Sequence, residues 1–156
     1  MLKEAINESE ALTDRVAAVV LLHQDGSMLL QLRDDKPGLR DAGKWVPPGG
    51  HCEPGESMKE CAWREFLEET DYRCDQLEWL MSTRCDPDGT FGSYRLEIYW
   101  AIYDGVQPVT CREGQELRFV HRSELSQLPV LSFLADVWDR ALAAASQRTA
   151  LSDVTL

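Results

Sequence analysis

The spacing of apolar positions changes along this chain, and each change marks an element. Val16 to Leu22 (VAAVVLL) is a continuous apolar run of strand length, which predicts a strand buried on both faces. Gln24-Asp25-Gly26 supplies a turn, and Met28 to Arg33 (MLLQLR) returns as a second strand. Asp34 to Lys44 (DDKPGLRDAGK) is loop by composition, placed to act as a lid or specificity element. Leu77 to Cys85 and Tyr94 to Tyr103 read as a long hairpin around the turn Asp86-Pro87-Asp88-Gly89. Within it Leu96, Ile98, Trp100 and Ile102 alternate with Glu97, Tyr99, Ala101 and Tyr103, leaving one clearly apolar face. Glu116 to Val120 reads as a last strand, and Ser123-Glu124-Leu125 opens a short helical turn that Pro129 closes. Leu131, Leu134, Trp138, Leu142 and Ala145 recur at helical spacing, which predicts an amphipathic helix packed on the sheet. Met1 to Asp14 is a polar arm with no assigned function, and Gln147 to Leu156 reads as a tail. Two helices with several hairpins of mixed length predict an α/β/α sandwich around a mixed β-sheet.

One helix breaks the pattern. Pro54-Gly55 ends what precedes it, and Ser57 with Glu60 forms a capping box, so the helix starts near Met58 and runs to about Thr70. At ~100° per residue, Glu65, Glu68 and Glu69 fall on one stripe, continued backwards by Met58, Cys61 and Ala62. Three acids thus sit where an apolar seam would run. Like charges at these spacings repel, so a cation is expected among them. Clustered carboxylates suit a hard divalent ion, Mg²⁺ or Mn²⁺; the alternative is a solvated acidic helix face.

The spacing around this helix is more specific than the three acids. Gly50, Glu56 and the run Arg64-Glu65-Phe66-x-Glu68-Glu69 resemble the Nudix box, G-x5-E-x7-R-E-U-x-E-E-x-G-U, where U is a bulky apolar residue. Seven of its nine specified positions are met as written; Tyr72 fills the last with an aromatic, and Asp71 replaces the final Gly. Asp is among the better substitutes for Gly at a left-handed helix end. The resemblance is specific over Trp45 to Tyr72, looser from Val16 to Pro129, and implies the same sandwich fold. It also implies Mg²⁺-dependent hydrolysis of a nucleoside diphosphate linked to another group X, by water attack on phosphorus. Gly49 (through its carbonyl), Glu65, Glu68 and Glu69 would hold the metal. Glu65, Glu69, Arg64 and Glu116 would be the catalytic set, with Glu116 chosen over Glu113 as the acid of the late loop. Arg33 and Trp45 would meet the substrate, the alternatives being a solvated strand-end Arg33 and a Trp45 packed inward as aromatics of so small a domain more often are, and Glu56 would orient Arg64 or a metal-bound water. Sanitising of (d)NTPs is the alternative activity, and a nucleotide-binding module without turnover the alternative of another class. Pro87, fifteen residues past Tyr72, accompanies ADP-ribose hydrolysis in some relatives, although a D-P-D-G turn accounts for it equally well.

Composition narrows the partners. A chain of 156 residues, 44% hydrophobic and 28% charged, is expected to form a single domain. A net charge of -11 argues against a nucleic-acid backbone or an anionic membrane as partner and leaves a small nucleotide, its phosphates met through metal. Cys52, Cys61, Cys74, Cys85 and Cys111 are odd in number and lack any C-x-x-C, so they read as reduced thiols of a cytoplasmic protein. No apolar run reaches the ~18 residues of a spanning helix. A homodimer is an expectation from the resemblance alone.

Overall fold

Strand β1 (Arg15–Leu22) lies at the middle of the sheet because its apolar run has no polar face to give to solvent. The structure, a computed structural model, describes residues 14–85 and 93–154, with side chains described as far as Thr149. Ala17, Val19 and Leu21 face one core, and Ala18, Val20 and Leu22 face another on the opposite side of the sheet. β1 is followed by β2 (Met28–Leu32), β3 (Trp45–Val46), β4 (Gly49–His51) and helix α1 (Met58–Thr70). Then come β5 (Glu78–Cys85), β6 (Tyr94–Ile102), β7 (Glu116–Val120), a short 3₁₀ helix (Arg122–Gln127) and helix α2 (Leu134–Val154).

The sheet is mixed. β1 runs parallel to β6 along its whole length, and β5 and β6 form the antiparallel hairpin expected of their alternation, with a bulge between Trp79 and Met81. The expected turn at Asp86 to Gly89 lies outside the described residues. β1 and β2 pair only where Leu22 meets Met28. Beyond that point they part, and the chain from Trp45 to His51 enters the wedge, with β3 pairing to β2 and β4 pairing to β1. β7 closes the outer edge of β2. This split opens a cavity in the sheet.

α1 covers one face with Cys61, Ala62 and Phe66. α2 covers the other with Leu134, Val137, Trp138 and Ala141, and the Trp138 indole N–H donates to the Gly26 carbonyl. α2 corrects one expectation, since it does not end at Ala145 but continues through the predicted tail to Val154. No Gly or Pro occurs after Pro129 to stop it, and Arg148 anchors the extension by stacking over Trp100 and pairing with Glu78. The cysteines correct another. Cys52 and Cys61 form a disulfide across nine residues, their Cα atoms 5.1 Å apart, while Cys74, Cys85 and Cys111 take part in no disulfide. The pairing depends on β4 lying against α1, a contact that counting cysteines does not reveal. Among the described residues no helix is long and apolar enough to cross a membrane.

Candidate active site

Both ends of α1 are built as the residues dictate. Ser57 accepts from the Glu60 N–H while the Glu60 carboxylate accepts from the Ser57 N–H, the full capping box. At the far end Asp71 takes the left-handed conformation (φ 62°) where the box motif has Gly, and its N–H bonds the Leu67 carbonyl. Arg112 pairs with the Asp71 carboxylate, and the Thr110 and Arg112 N–H groups bond the Thr70 and Glu69 carbonyls. These bonds pin the loop before β7 to the C-terminus of α1. The consequence is that Glu113 lies beside Glu69.

The other side of that loop is equally held. Gly114 adopts φ +83° at a close approach to the Leu32 carbonyl, where a Cβ would collide, and Gln115 bonds the same carbonyl through its N–H. Gln31, buried in β2, donates its Nε2 to the Glu113 carbonyl at 3.1 Å and to Glu69 Oε2 at 3.4 Å. Glu69 Oε2 also accepts the Gly49 N–H at 3.1 Å. Glu69 is only 6% exposed. Burial, with the Glu113 and Glu65 carboxylates close by, pushes its pKa up to about 9. Glu65, partly buried, is raised for the same first reason, against the opposing pull of Arg64.

Arg64 is the hub of the acid cluster. Its Nε and Nη2 grip the two Glu56 oxygens at 2.6 and 2.9 Å, its Nη1 reaches Glu65 at 2.9 Å and Glu68 at 3.2 Å, and Nη2 donates to the His51 carbonyl. The bidentate grip holds the Glu56 carboxyl below its ordinary pKa and strengthens the guanidinium's own charge. Behind Glu65 the backbone of Gly50 passes so closely that a Cβ there would overlap the carboxylate. Gly50 is therefore required by the acid opposite it.

Glu65, Glu69 and Glu113 meet at one end of a cavity of about 340 Å³ in the split of the sheet. Arg33, Arg40 and Asp41 from the loop after β2 stand at its side, and Tyr94, Leu96, Ile98, Phe133 and Val137 give it an apolar arm under α2. Arg40 lies over the Tyr94 ring at 4.1 Å, and Arg33 Nε donates to the Arg40 carbonyl. A cavity lined by both carboxylates and apolar side chains can hold a hard cation, a phosphate chain and a planar group.

Not every residue named from sequence reaches this cavity. Glu65, Glu69, Gly49 and Arg33 line it. Glu68 does not; its side chain is 58% exposed at the solvent edge, tethered by Arg64. Glu116 does not line it either; it is half exposed on β7 and paired with Arg118 at 3.0 Å, whereas Glu113, three residues earlier, is among the lining residues. The turn at Gly114 decides between the two, and its direction is set by the Leu32 carbonyl. Trp45 is not among the lining residues, being buried in the α2-side core with Arg118 over its ring at 4.9 Å, the packing alternative. Gln31 was overlooked, although a lone amide inside an apolar strand run was the available signal.

Comparison with known proteins accords with this geometry. The sequence profile of the NUDIX domain matches residues 12–142. The chain belongs to the Nudix family. It is 38% identical over 66 residues to the m7GpppN-mRNA hydrolase NUDT17 of Xenopus laevis, a match covering 42% of this chain and 22% of that protein. It is 48% identical over 54 residues to the methanol dehydrogenase activator of Bacillus methanolicus, covering 35% and 28%. The chain thus matches about a quarter of the length of these curated relatives. The Nudix domain of Shewanella oneidensis NrtR, complexed with ADP ribose, superposes with a TM-score of 0.69 at 19% identity, covering 84% of this chain and 87% of that one, and shares the fold.

Proposed function

We propose that this chain is a divalent-metal-dependent pyrophosphohydrolase that cleaves a nucleoside diphosphate linked to a further group X. The observation that carries the reading is the convergence of Glu65, Glu69 and Glu113 on one cavity that Tyr94, Leu96, Ile98, Phe133 and Val137 also line. Three carboxylates this close, one of them pushed up to about 9, form an acceptor set short of a counter-charge. Mg²⁺ or Mn²⁺ fits this donor chemistry, with Glu65 and Glu69 as ligands, the Gly49 carbonyl assisting and Glu68 completing the acid set from the solvent edge. A bound divalent cation would neutralise charge on the phosphoryl oxygens as the diphosphate bond breaks.

The chain's own groups do the rest. Glu113, rather than Glu116, accepts the proton of the water that attacks phosphorus. Arg64 holds Glu65 and Glu68 in place through its anchor on Glu56 and does not itself touch substrate. Arg33 faces the phosphates, and the apolar arm beside Tyr94 takes the nucleobase. The water oxygen forms the new bond to phosphorus, the bridging P–O bond breaks, and nucleoside phosphate and the phosphorylated remainder leave. The NUDT17 relative named for a capped RNA and the neighbour holding ADP ribose both concern a nucleoside diphosphate extended by another group, which supports X over one fixed substrate. Retention of Glu65, Glu68 and Glu69 disfavours a binding module without turnover.

The test is a screen of nucleotide sugars, dinucleoside polyphosphates, ADP-ribose and (d)NTPs with Mg²⁺ or Mn²⁺, with products resolved and ¹⁸O-water used to mark the attacked phosphorus. Cleavage of a diphosphate linkage that needs the metal is expected. No cleavage with either ion would sink the hydrolase reading, and cleavage confined to (d)NTPs would select the sanitising activity.

A further inference from the structure

The disulfide joins the two halves of the acid-bearing motif at a place the proposed chemistry does not use. Cys61 lies on α1 one turn before Glu65. Cys52 directly follows His51, whose carbonyl accepts from Arg64. The loop closed between them carries Glu56, the bidentate anchor of Arg64. Residues 53–56 of that loop are largely exposed, held locally by the Glu53 and Glu56 backbone bonds and by Arg15 donating to the Glu56 carbonyl. The covalent bridge is therefore the strongest tie between β4 and the helix that presents the acids.

The two cysteines are both buried but not equally. Cys61 is 0% exposed and Cys52 8%, at the edge of the exposed loop. A thiolate entering past residues 53–56 reaches Cys52 first. We propose that Cys52–Cys61 is a redox-modification site, opened and reformed by thiol–disulfide exchange with small thiols of the glutathione class, whose state sets how firmly the Glu56–Arg64 clamp holds the carboxylates. The second half rests on the metal-site reading given above. In the forward direction a small thiolate attacks Cys52 Sγ, the bridge breaks, and Cys61 leaves as thiolate and takes up a proton. A second thiolate then attacks the mixed disulfide and releases Cys52. Two small thiols are oxidised to one disulfide, and the protein gains two electrons and two protons. Oxidation by the small disulfide reverses each step.

Reduction frees the loop end that carries Glu56. Arg64 then loses a fixed anchor while still pulling on Glu65 and Glu68, and metal affinity is expected to fall roughly tenfold, the scale seen when a group supporting a ligand is lost. Cys74 and Cys85 are buried and Cys111 lies on the loop before β7, so they serve as internal controls.

The experiment equilibrates the purified chain in reduced and oxidised dithiothreitol mixtures, alkylates free thiols, maps tryptic peptides, and measures Mn²⁺ binding by EPR on the same samples. Cleavage after Lys44, Lys59 and Arg64 puts the two cysteines on separate peptides, Trp45 to Lys59 and Glu60 to Arg64. The expected result is one linked pair in the oxidised sample, two alkylated peptides in the reduced sample, and weaker Mn²⁺ binding on reduction. The double variant Cys52→Ser/Cys61→Ser should bind Mn²⁺ like the reduced protein and ignore dithiothreitol, whereas Cys111→Ser should keep the response. The reduced wild type gives the same comparison should the double variant fold poorly. Failure to recover the linked peptide under oxidising conditions overturns the exchange site. Equal Mn²⁺ affinity in both states overturns its control of the acids. Absence of Mn²⁺ binding in either state overturns the metal reading and that control together, while the linked peptide still decides the exchange site.

Discussion

Replacing Glu69 by Gln should stabilise the metal-free protein and abolish its response to metal. Glu69 is buried, and its pKa rises from 4.5 to about 9 through desolvation and the neighbouring Glu113 and Glu65 carboxylates. Below the unfolded value the carboxyl is protonated in both states and adds no pH dependence. Between that value and the folded one, the unfolded chain sheds a proton that the folded protein keeps, so folded stability falls by ~1.4 kcal/mol per pH unit. At neutral pH the accumulated cost is about 3 kcal/mol, shared with the coupled acids. The amide oxygen of Gln can accept the Gly49 and Gln31 N–H bonds that Glu69 Oε2 accepts now, so the substitution removes the titration without orphaning a donor. Urea unfolding of chelator-treated protein from about pH 5 to about pH 7 should show wild type losing stability with rising pH and Glu69→Gln losing roughly 2–3 kcal/mol less. With Mg²⁺ in excess the order should reverse, because only wild type gains binding energy, increasingly at high pH as the carboxyl deprotonates. Turnover should fall by orders of magnitude. Parallel pH profiles for the two metal-free proteins would refute the buried-acid argument, and unchanged kcat at saturating Mg²⁺ would refute the catalytic one.

Three further outcomes test separate parts of the site. Glu113→Gln should lower kcat by ~10²–10⁴ with little change in KM, while Glu116→Gln should stay within about twofold of wild type; the reverse ranking would restore Glu116. Arg64→Lys keeps the charge but cannot span both Glu56 oxygens and Glu65, so isothermal titration should show Mn²⁺ affinity reduced by ~10–100-fold. Asp71→Ala should cost about 1 kcal/mol of thermal stability, since Ala tolerates the left-handed conformation poorly and cannot pair with Arg112, whereas Asp71→Gly should be nearly neutral, the gain in backbone freedom offsetting the lost surface pair.

The elements of the fold were largely legible because their signals are local. Strand β1 declared itself by an apolar run, β6 by alternation, and α1 by the capping box at one end and Asp71 at the other. The end of α2 was misjudged because the amphipathic stripe fades after Ala145, although the chain holds no residue that would break a helix there. What holds Gln147 to Thr149 is Arg148 on Trp100 and Glu78, partners from distant strands. Trp45 was left open for a related reason, since an aromatic ahead of a glycine turn can stack on a base or pack inward. The side it takes follows from β3 pairing with β2 and from Arg118 lying over the ring.

The spacing from Gly50 to Tyr72 was sufficient to specify the capped helix, the stripe of Glu65, Glu68 and Glu69, the reach of Arg64 to its neighbours, and the family, because all of these depend on helical geometry within a few turns. Three things required the folded chain: Glu113 rather than Glu116 at the cavity, Gln31 and the Gly49 N–H on Glu69, and the Cys52–Cys61 bridge. Each joins segments that meet only after β1 and β2 part and β4 enters the wedge between them. Sequence spacing carries no information about which side chains cross such a gap, since their approach is set by strand register and by the Gly114 turn pressed against β2.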